Sequence, residues 1–244
     1  MTRFFVRPEQ ITGSSVSLDA DDAHHLRVVL KAAAGASLVV LDGSGREWAG
    51  VLTELGKTRA VANLSEPTSP NTETRTRITV AQGLPKIADK MESVLQHGTE
   101  IGVAAFWGME TARSQTHLTG ERQAKRLTRW QGIVKTAAEQ SRRTLLPDVQ
   151  ARHTFADVCH AAPEFDLSLV AWEGETEHTL RGVLELKPSP KSVLIVIGPE
   201  GGFTDKEAEA ARRAGLQTVS LGPRILRTET AALALAAQII YALG

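Results

Sequence analysis

Val193-Leu194-Ile195-Val196-Ile197-Gly198-Pro199-Glu200-Gly201-Gly202-Phe203-Thr204 and, further on, Thr218-Val219-Ser220-Leu221-Gly222-Pro223-Arg224-Ile225-Leu226-Arg227-Thr228-Glu229-Thr230 share one pattern. In each, an apolar and partly β-branched run leads into a glycine-punctuated loop, and the loop opens a helical pattern. That order puts the loop at the carboxyl end of a parallel strand, where α/β proteins hold ligands. The two units read as adjacent, with their loops side by side and presenting mainly backbone groups. Gly198 and the Gly201-Gly202 pair let main chain approach a ligand closely. Amides at the following helix start suit a carboxylate or a ribose hydroxyl. Neither loop is a P-loop, since no Gly-Lys-Ser/Thr follows, and neither is the G-x-G-x-x-G dinucleotide fingerprint. One Gly-Gly turn alone is most simply a tight connection with no ligand. Two of them, the second carrying Arg224, Arg227 and Glu229 beside Ile225 and Leu226, point to a pocket for a small, polar, partly planar molecule.

Strands and helices alternate around these loops. Strands are expected at Ile78 to Gln82, Val103 to Trp107, Leu167 to Trp172, Val193 to Ile197 and Thr218 to Leu221. Helices are expected at Asp89 to Ile101, Glu121 to Gln140, Leu180 to Leu186, Asp205 to Ala214 and Thr230 to Leu243. This is an α/β pattern with a parallel sheet of about five strands. Thr204 and Glu207 have the spacing of a capping box, and Arg212, Arg213 and Gly215 mark that helix's end. The last helix is apolar nearly all round, Ala231 to Ile240, so it must be buried in a core or between subunits; it reads as partly a homodimer interface.

A composition break at Glu66-Pro67-Thr68-Ser69-Pro70-Asn71-Thr72-Glu73-Thr74 reads as a linker. It sets apart a domain over residues 1–68 from one over 74–244. The first shows short strands at Phe4 to Val6, Ser15 to Leu18, Ser37 to Leu41, Glu47 to Leu52 and Arg59 to Leu64. Asp42-Gly43-Ser44-Gly45 supplies a hairpin turn, and one helix over His24 to Leu30 is capped by Asp21 or Asp22. A small, mostly β barrel fits that pattern.

Lys and Arg number 28 and Asp and Glu 28, so the net charge is zero, which counts against bulk electrostatic binding to nucleic acid without excluding a local patch. Hydrophobic residues make up 42%, ordinary for a globular protein. No apolar run reaches the roughly 18 residues of a membrane span, and Met1-Thr2-Arg3-Phe4-Phe5 lacks the features of a signal peptide, so a cytoplasmic protein is expected. The single cysteine, Cys159, excludes an internal disulfide and a multi-cysteine zinc site, and reads as a core filler; no metal is expected.

The loops Gly198-Pro199-Glu200-Gly201-Gly202-Phe203 and Leu221-Gly222-Pro223-Arg224-Ile225-Leu226-Arg227-Thr228-Glu229-Thr230-Ala231-Ala232 closely resemble those of the bacterial 16S ribosomal RNA uridine-N3 methyltransferase family. That family is a branch of the knotted SPOUT methyltransferases. The resemblance extends to Leu84-Pro85-Lys86 with Asp89-Lys90-Met91-Glu92, to Thr99-Glu100-Ile101-Gly102-Val103, and to Glu139-Gln140-Ser141-Arg142-Arg143. Near the N-terminus, Arg3-Phe4-Phe5 and His24-His25-Leu26-Arg27-Val28-Val29-Leu30-Lys31 resemble its PUA-like RNA-binding module. Ile101 and Lys31 depart from the usual leucine and arginine, and no proline follows Val103 closely.

The resemblance implies S-adenosylmethionine, bent among the knot loops and contacted by Gly198, Gly201, Gly202, Leu221, Gly222, Ile225, Leu226, Thr230 and Ala231. It implies methylation of N3 of a uridine in 16S ribosomal RNA of the small subunit. It also implies RNA contacts from Arg3, His25, Arg27, Lys31 and Arg143. The candidate cation for the developing pyrimidine anion is Arg227. Glu229 is the candidate proton acceptor or a partner that orients the arginine, against a plain role as a first-turn carboxylate. The helix from Glu121 places Leu127, Trp130, Val134, Ala137 and Ala138 on one face and Arg122, Lys125, Arg126 and Arg129 on the other, a phosphate-binding stripe or a solvated basic face. The rival readings are a non-catalytic RNA-binding or ribosome-assembly factor, and a methyltransferase acting on another RNA site.

Overall fold

The computed structural model describes residues 1–243. The chain forms two compact units, Met1–Glu73 with Ala138–Leu146, and Thr74–Ala137 with the chain from Pro147 onward.

The first unit contains β1 (Thr2–Phe5), β2 (Ile11–Thr12), β3 (Ser15–Leu18), α1 (Ala20–His24), β4 (Ser37–Leu41), β5 (Glu47–Leu55) and β6 (Ala60–Leu64). Its sheet has the order β1-β4-β5-β6-β3-β2, with β1 parallel to β4 and the other pairs antiparallel. Along β5, Trp48, Gly50 and Leu52 are buried while Ala49, Val51 and Thr53 are exposed, the alternation of a sheet wetted on one face. Phe4, Val16, Leu38, Val40, Leu52 and Ala62 belong to the larger core of this half-barrel. The helix is shorter than expected. Asp19, not Asp21 or Asp22, caps it by accepting the Asp22 amide, and a π turn over His25–Val29 follows. Only Leu26 in that turn is buried.

Segment Ala138–Leu146 belongs to this unit although the linker precedes it by more than sixty residues. Ala138 packs with Phe5, Val39 and Leu41, and Glu139 Oε1 accepts the Phe5 amide at 3.0 Å. Arg143 is 4% exposed and its Nη2 lies 2.6 Å from Glu73 Oε2. The other Glu73 oxygen accepts the amides of Thr144 and Leu145 at 3.1 and 3.2 Å.

The second unit contains β7 (Arg77–Gly83), α2 (Ala88–Ile101), β8 (Ala105–Glu110), α3 (Gly120–Gln140, its last residues counted with the first unit), β9 (Asp148–Thr154), α4 (Phe155–Ala161), β10 (Leu167–Ala171), α5 (Leu180–Leu186), β11 (Ser192–Ile197), α6 (Asp205–Arg213), β12 (Gln217–Val219) and α7 (Thr228–Leu243). The sheet order is β12-β10-β11-β7-β8-β9, every pair parallel. That is one strand more than expected. β9 and α4 are the additions; β9 lies at the sheet edge and reads Asp-Val-Gln-Ala-Arg-His-Thr, with no apolar run to betray it.

β11 lies inside the sheet, so both of its faces are covered. Val193, Ile195 and Ile197 join one core with residues of α2, α3, α5 and α7. Leu194 and Val196 join the other with Phe155 and Val158 of α4 and Ala211 of α6. Alternate packing into two cores is why the run Val193–Ile197 is apolar at every position.

β12 is not beside β11. It pairs with β10 at the sheet edge, after which α7 returns to pack on α2, β7 and β11. On the way the chain passes the loop that follows β10: Ser220 N donates to His178 O at 2.9 Å and Trp172 N to Val219 O at 3.2 Å. A chain that leaves at the edge and returns past an earlier loop crosses its own connection, which ordinary α/β topologies avoid. Glu175 pins that earlier loop. Its buried carboxylate accepts from the Thr218 hydroxyl on β12 and from the amides of Glu177 and His178 at 2.8 and 3.1 Å. Burial pushes the Glu175 carboxyl up, but the hydrogen bonds from Thr218, Glu177 and His178 outweigh it and hold the group well below the usual range.

Two outcomes are expected. Glu73→Ala removes the carboxylate that meets Arg143 and the Thr144 and Leu145 amides, and should lower the stability of the first unit by about 3 kcal/mol in urea denaturation; a loss below about 1 kcal/mol would mark the pair as no better than a surface ion pair. Because the folded Glu175 carboxyl titrates below its unfolded value of 4.5, the stabilisation is present above that value and is lost as pH falls beneath it. Glu175→Gln should therefore weaken the protein at neutral pH and flatten the decline in stability on acidification. Equal acid sensitivity in both proteins would show that Glu175 does not anchor this loop.

Candidate functional site

Gln82 is the last residue but one of β7 and is 1% exposed. Its amide nitrogen lies 2.7 Å from Thr228 Oγ1 and 3.3 Å from the Gly198 carbonyl oxygen. The Thr228 hydroxyl donates to the same Gly198 oxygen at 2.5 Å. The first glycine loop and the start of α7 are thus fastened to one buried side chain on β7, the strand beside β11. β7 itself lies tight against the first loop: a Cβ on Gly83 would stand 2.5 Å from Pro199 N.

The loops enclose a cavity of about 350 Å³, within the roughly 300–1,000 Å³ of small-molecule sites. Three loops build it, not two. Since β10 separates β11 from β12, the loop after β10 contributes Trp172 and Glu173 to the wall, and α2 contributes Lys90. Bare backbone forms one side. Gly202 has φ 66°, and a Cβ on Gly198 would lie 3.1 Å from the Gly202 carbonyl carbon. Leu221, Leu226 and Val219 form an apolar side, and Ile225 stands 78% exposed at the rim. Such a surface suits one face of a planar heterocycle, and the cradle of glycine backbone suits a ribose or an amino-acid moiety.

Of the positions named from sequence, Gly198, Gly202, Leu221, Gly222, Ile225, Leu226, Arg227 and Ala231 line the cavity. Gly201 faces away, toward Arg113, whose Nη1 donates to the Gly201 carbonyl oxygen at 2.7 Å. Thr230 is exposed and off the cavity wall. Glu229 lies in the first turn of α7 behind the wall, and its buried Oε2 accepts no hydrogen bond among the described residues. In front of it, Lys90 Nζ lies 3.0 Å from Glu200 Oε1 and 3.9 Å from Glu229 Oε2. Burial raises the Glu200 carboxyl, but its own amide, Lys90 and the Lys86 amide together bring it below the ordinary range.

Gln82, Lys90 and Glu173 carry no site expectation from sequence. For Lys90 the signal is its place early in the helix that follows β7, facing the carboxyl edge; Glu173 follows β10 in the same way. Gln82 has no such signal, because a polar residue ending a buried strand is commonplace.

In the first unit, His25, Arg27 and Lys31 are exposed, and Lys31 has φ 50°. Val28, Val29 and Leu30 beside them are 46%, 61% and 40% exposed. Arg3 is ion-paired to Glu47 and Arg143 to Glu73, both largely buried, so these two guanidinium groups brace the unit. Arg142, next to Arg143, is exposed. On α3, Trp130, Val134, Ala137 and Ala138 are buried as expected, and Arg129 is held by Glu92 at 2.5 and 2.7 Å. Burial, aided by Glu207, pushes the Cys159 thiol up to about 11, which suits a packed thiol and not a nucleophile. No group of metal-binding side chains occurs among the described residues.

Residues 72–240 match the family described as RNA methyltransferase domain, and residues 18–65 match the RNA methyltransferase PUA domain. The ribosomal RNA small subunit methyltransferase E of Bacillus subtilis is 34% identical, over 99% of this chain and 96% of that protein. The protein of the same name from Synechocystis is 38% identical, over 97% of this chain and 76% of its own length. Among solved structures, a ribosomal RNA small subunit methyltransferase E from Neisseria gonorrhoeae bound to S-adenosyl methionine is 33% identical with a TM-score of 0.85, covering 100% of this chain and 98% of that one. A methyltransferase from Legionella pneumophila in complex with bound SAM gives a TM-score of 0.90 at 29% identity, covering 99% and 97%. With the crossed chain of its parallel sheet, its loop-built cavity and its half-barrel of strands, this chain belongs to the ribosomal RNA small subunit methyltransferase E family, RNA methyltransferases of the knotted SPOUT type with a PUA-like N-terminal domain.

Proposed function

We propose that this protein transfers a methyl group from S-adenosylmethionine to N3 of a uridine in 16S ribosomal RNA of the small ribosomal subunit. The observation that carries the proposal is the cavity at the carboxyl edge of the sheet, walled by glycine backbone and apolar side chains. Gly198, Gly202, Leu221, Gly222, Ile225, Leu226 and Ala231 hold the cofactor, which supplies an electrophilic methyl group on a sulfonium. Relatives carrying the small-subunit methyltransferase name support ribosomal RNA as the substrate.

N3 of uracil is an imide nitrogen and must lose its proton to become nucleophilic. A cation beside the ring oxygens stabilises the charge that develops. Arg227 lines the cavity and is exposed to an incoming base, and it takes this role. Glu229, with an unpartnered carboxylate oxygen behind the cavity wall, takes the proton through one water. Bringing base and methyl donor into line contributes much of the acceleration.

RNA lies against His25 and Arg27 of the π turn and Lys31 just after it, all exposed, with Arg142 in place of the buried Arg143. The outer side of α7, with Tyr241 92% exposed, serves a homodimer contact. No helix among the described residues is long and apolar enough to cross a membrane, and the place of action proposed is the cytoplasm, where ribosomal subunits are built.

Arg227→Ala should reduce methyl transfer by about 100-fold or more, while calorimetry finds S-adenosylmethionine affinity within several-fold of the parent. Retained turnover would reject the arginine's role. Mass mapping of methylated nucleosides in ribosomal RNA from cells with and without the protein tests the substrate: 3-methyluridine should vanish from 16S RNA, and loss of a different modified nucleoside would redirect the assignment.

A further inference from the structure

Lys90 occupies the third position of α2, close to the positive end of the helix dipole, where a cation is electrostatically disfavoured. Helix stability therefore gives no reason for it. Its side chain is 20% exposed and lines the cavity, whereas Glu229 stands behind that wall. An ammonium has three N–H donors. Among the described residues, Glu200 Oε1 at 3.0 Å is the one acceptor within hydrogen-bond distance, and Glu229 Oε2 at 3.9 Å lies beyond it. Donors are thus left over at the cavity wall. The two carboxylates fix the place of the nitrogen, and Glu200 is itself anchored by the Lys86 amide at 3.1 Å. Partial burial strengthens whatever this charge meets, relative to a lysine in open water.

We propose that Lys90 is a catalytic residue, donating hydrogen bonds to a ring oxygen of the target uracil as N3 loses its proton. The inference rests on the uridine-N3 reading above. The imide proton passes through one water to the Glu229 carboxylate, and negative charge spreads over N3 and the two flanking oxygens. Lys90 and Arg227 share that charge. The N3 lone pair forms the new bond to the methyl carbon, the electron pair of the broken carbon–sulfur bond stays on sulfur, and the products are a neutral methylated base and a neutral thioether. Lys90 also links the two glycine loops to the chemistry, since Glu200 belongs to the first and Glu229 follows the second.

The alternative is a brace that merely ties α2 to Glu200 and Glu229, and the test separates the two. Methylation is measured on RNA carrying uridine and on RNA carrying 5-fluorouridine at the target, whose N3 proton is more acidic. Lys90→Met and Lys90→Gln should lose about 100-fold on uridine, should bind S-adenosylmethionine within about threefold by calorimetry, and should recover most of the rate on 5-fluorouridine; Lys90→Arg should fall between them and the parent. An equal defect on both RNAs, or cofactor affinity falling in step with rate, overturns the role. A parent protein that leaves N3 unmethylated on both RNAs refutes the substrate reading and this inference with it.

Discussion

The hydrogen bonds that join Gln82, Thr228 and the Gly198 carbonyl hold the site together. Each partner comes from a distant part of the chain: the end of a central strand, the first turn of the last helix, and the first glycine loop. A buried amide in a low-dielectric interior is costly unless satisfied, so these groups stay together or the region opens. Gln82 Oε1 accepts no hydrogen bond among the described residues, so this amide is held through its nitrogen. With the loops fixed in that way, glycine backbone can form a wall that no side chain fills.

The return of the chain after β12 supplies the rest of the geometry. Had β12 paired beside β11, two loops would flank one cleft. Placing β10 between them brings a third loop to the wall, and Glu175 ties that loop to β12 through the Thr218 hydroxyl. The cavity is therefore closed by parts of the chain that can separate only if the crossing is undone. Charge is distributed accordingly. Apolar side chains and bare backbone face the space for the cofactor, and Lys90 and Arg227 reach it beside a carboxylate, Glu229, set one layer back.

The first unit is organised around its own buried ion pair. Arg143 and Glu73 lie far apart in sequence, and both are withdrawn from solvent. The same chemistry that makes an arginine a good phosphate ligand makes it a good brace for a carboxylate and two amides, and type alone does not say which use it serves. Exposure separates the groups: His25, Arg27 and Lys31 face solvent, whereas Arg3 and Arg143 are turned inward.

The sequence by itself determined the alternation of strands and helices, the two glycine loops and the Thr204–Glu207 cap. Each of these is local: a period, a turn residue or a cap acts within a few positions of where it is written. It also placed most of the cavity wall, because a loop after a parallel strand has only one edge to occupy. Tertiary structure alone decided that β12 goes to the far side of β10, that Gln82 fastens the loops, that Glu173 and Lys90 join the wall, and that residues 138–146 return to the first unit. Those outcomes depend on which strands pair and which carboxylate meets which cation across tens of residues, and no period in the chain encodes that. The polar edge strand β9 was hidden for the related reason that half of its environment is solvent, so its residues carry no apolar signature.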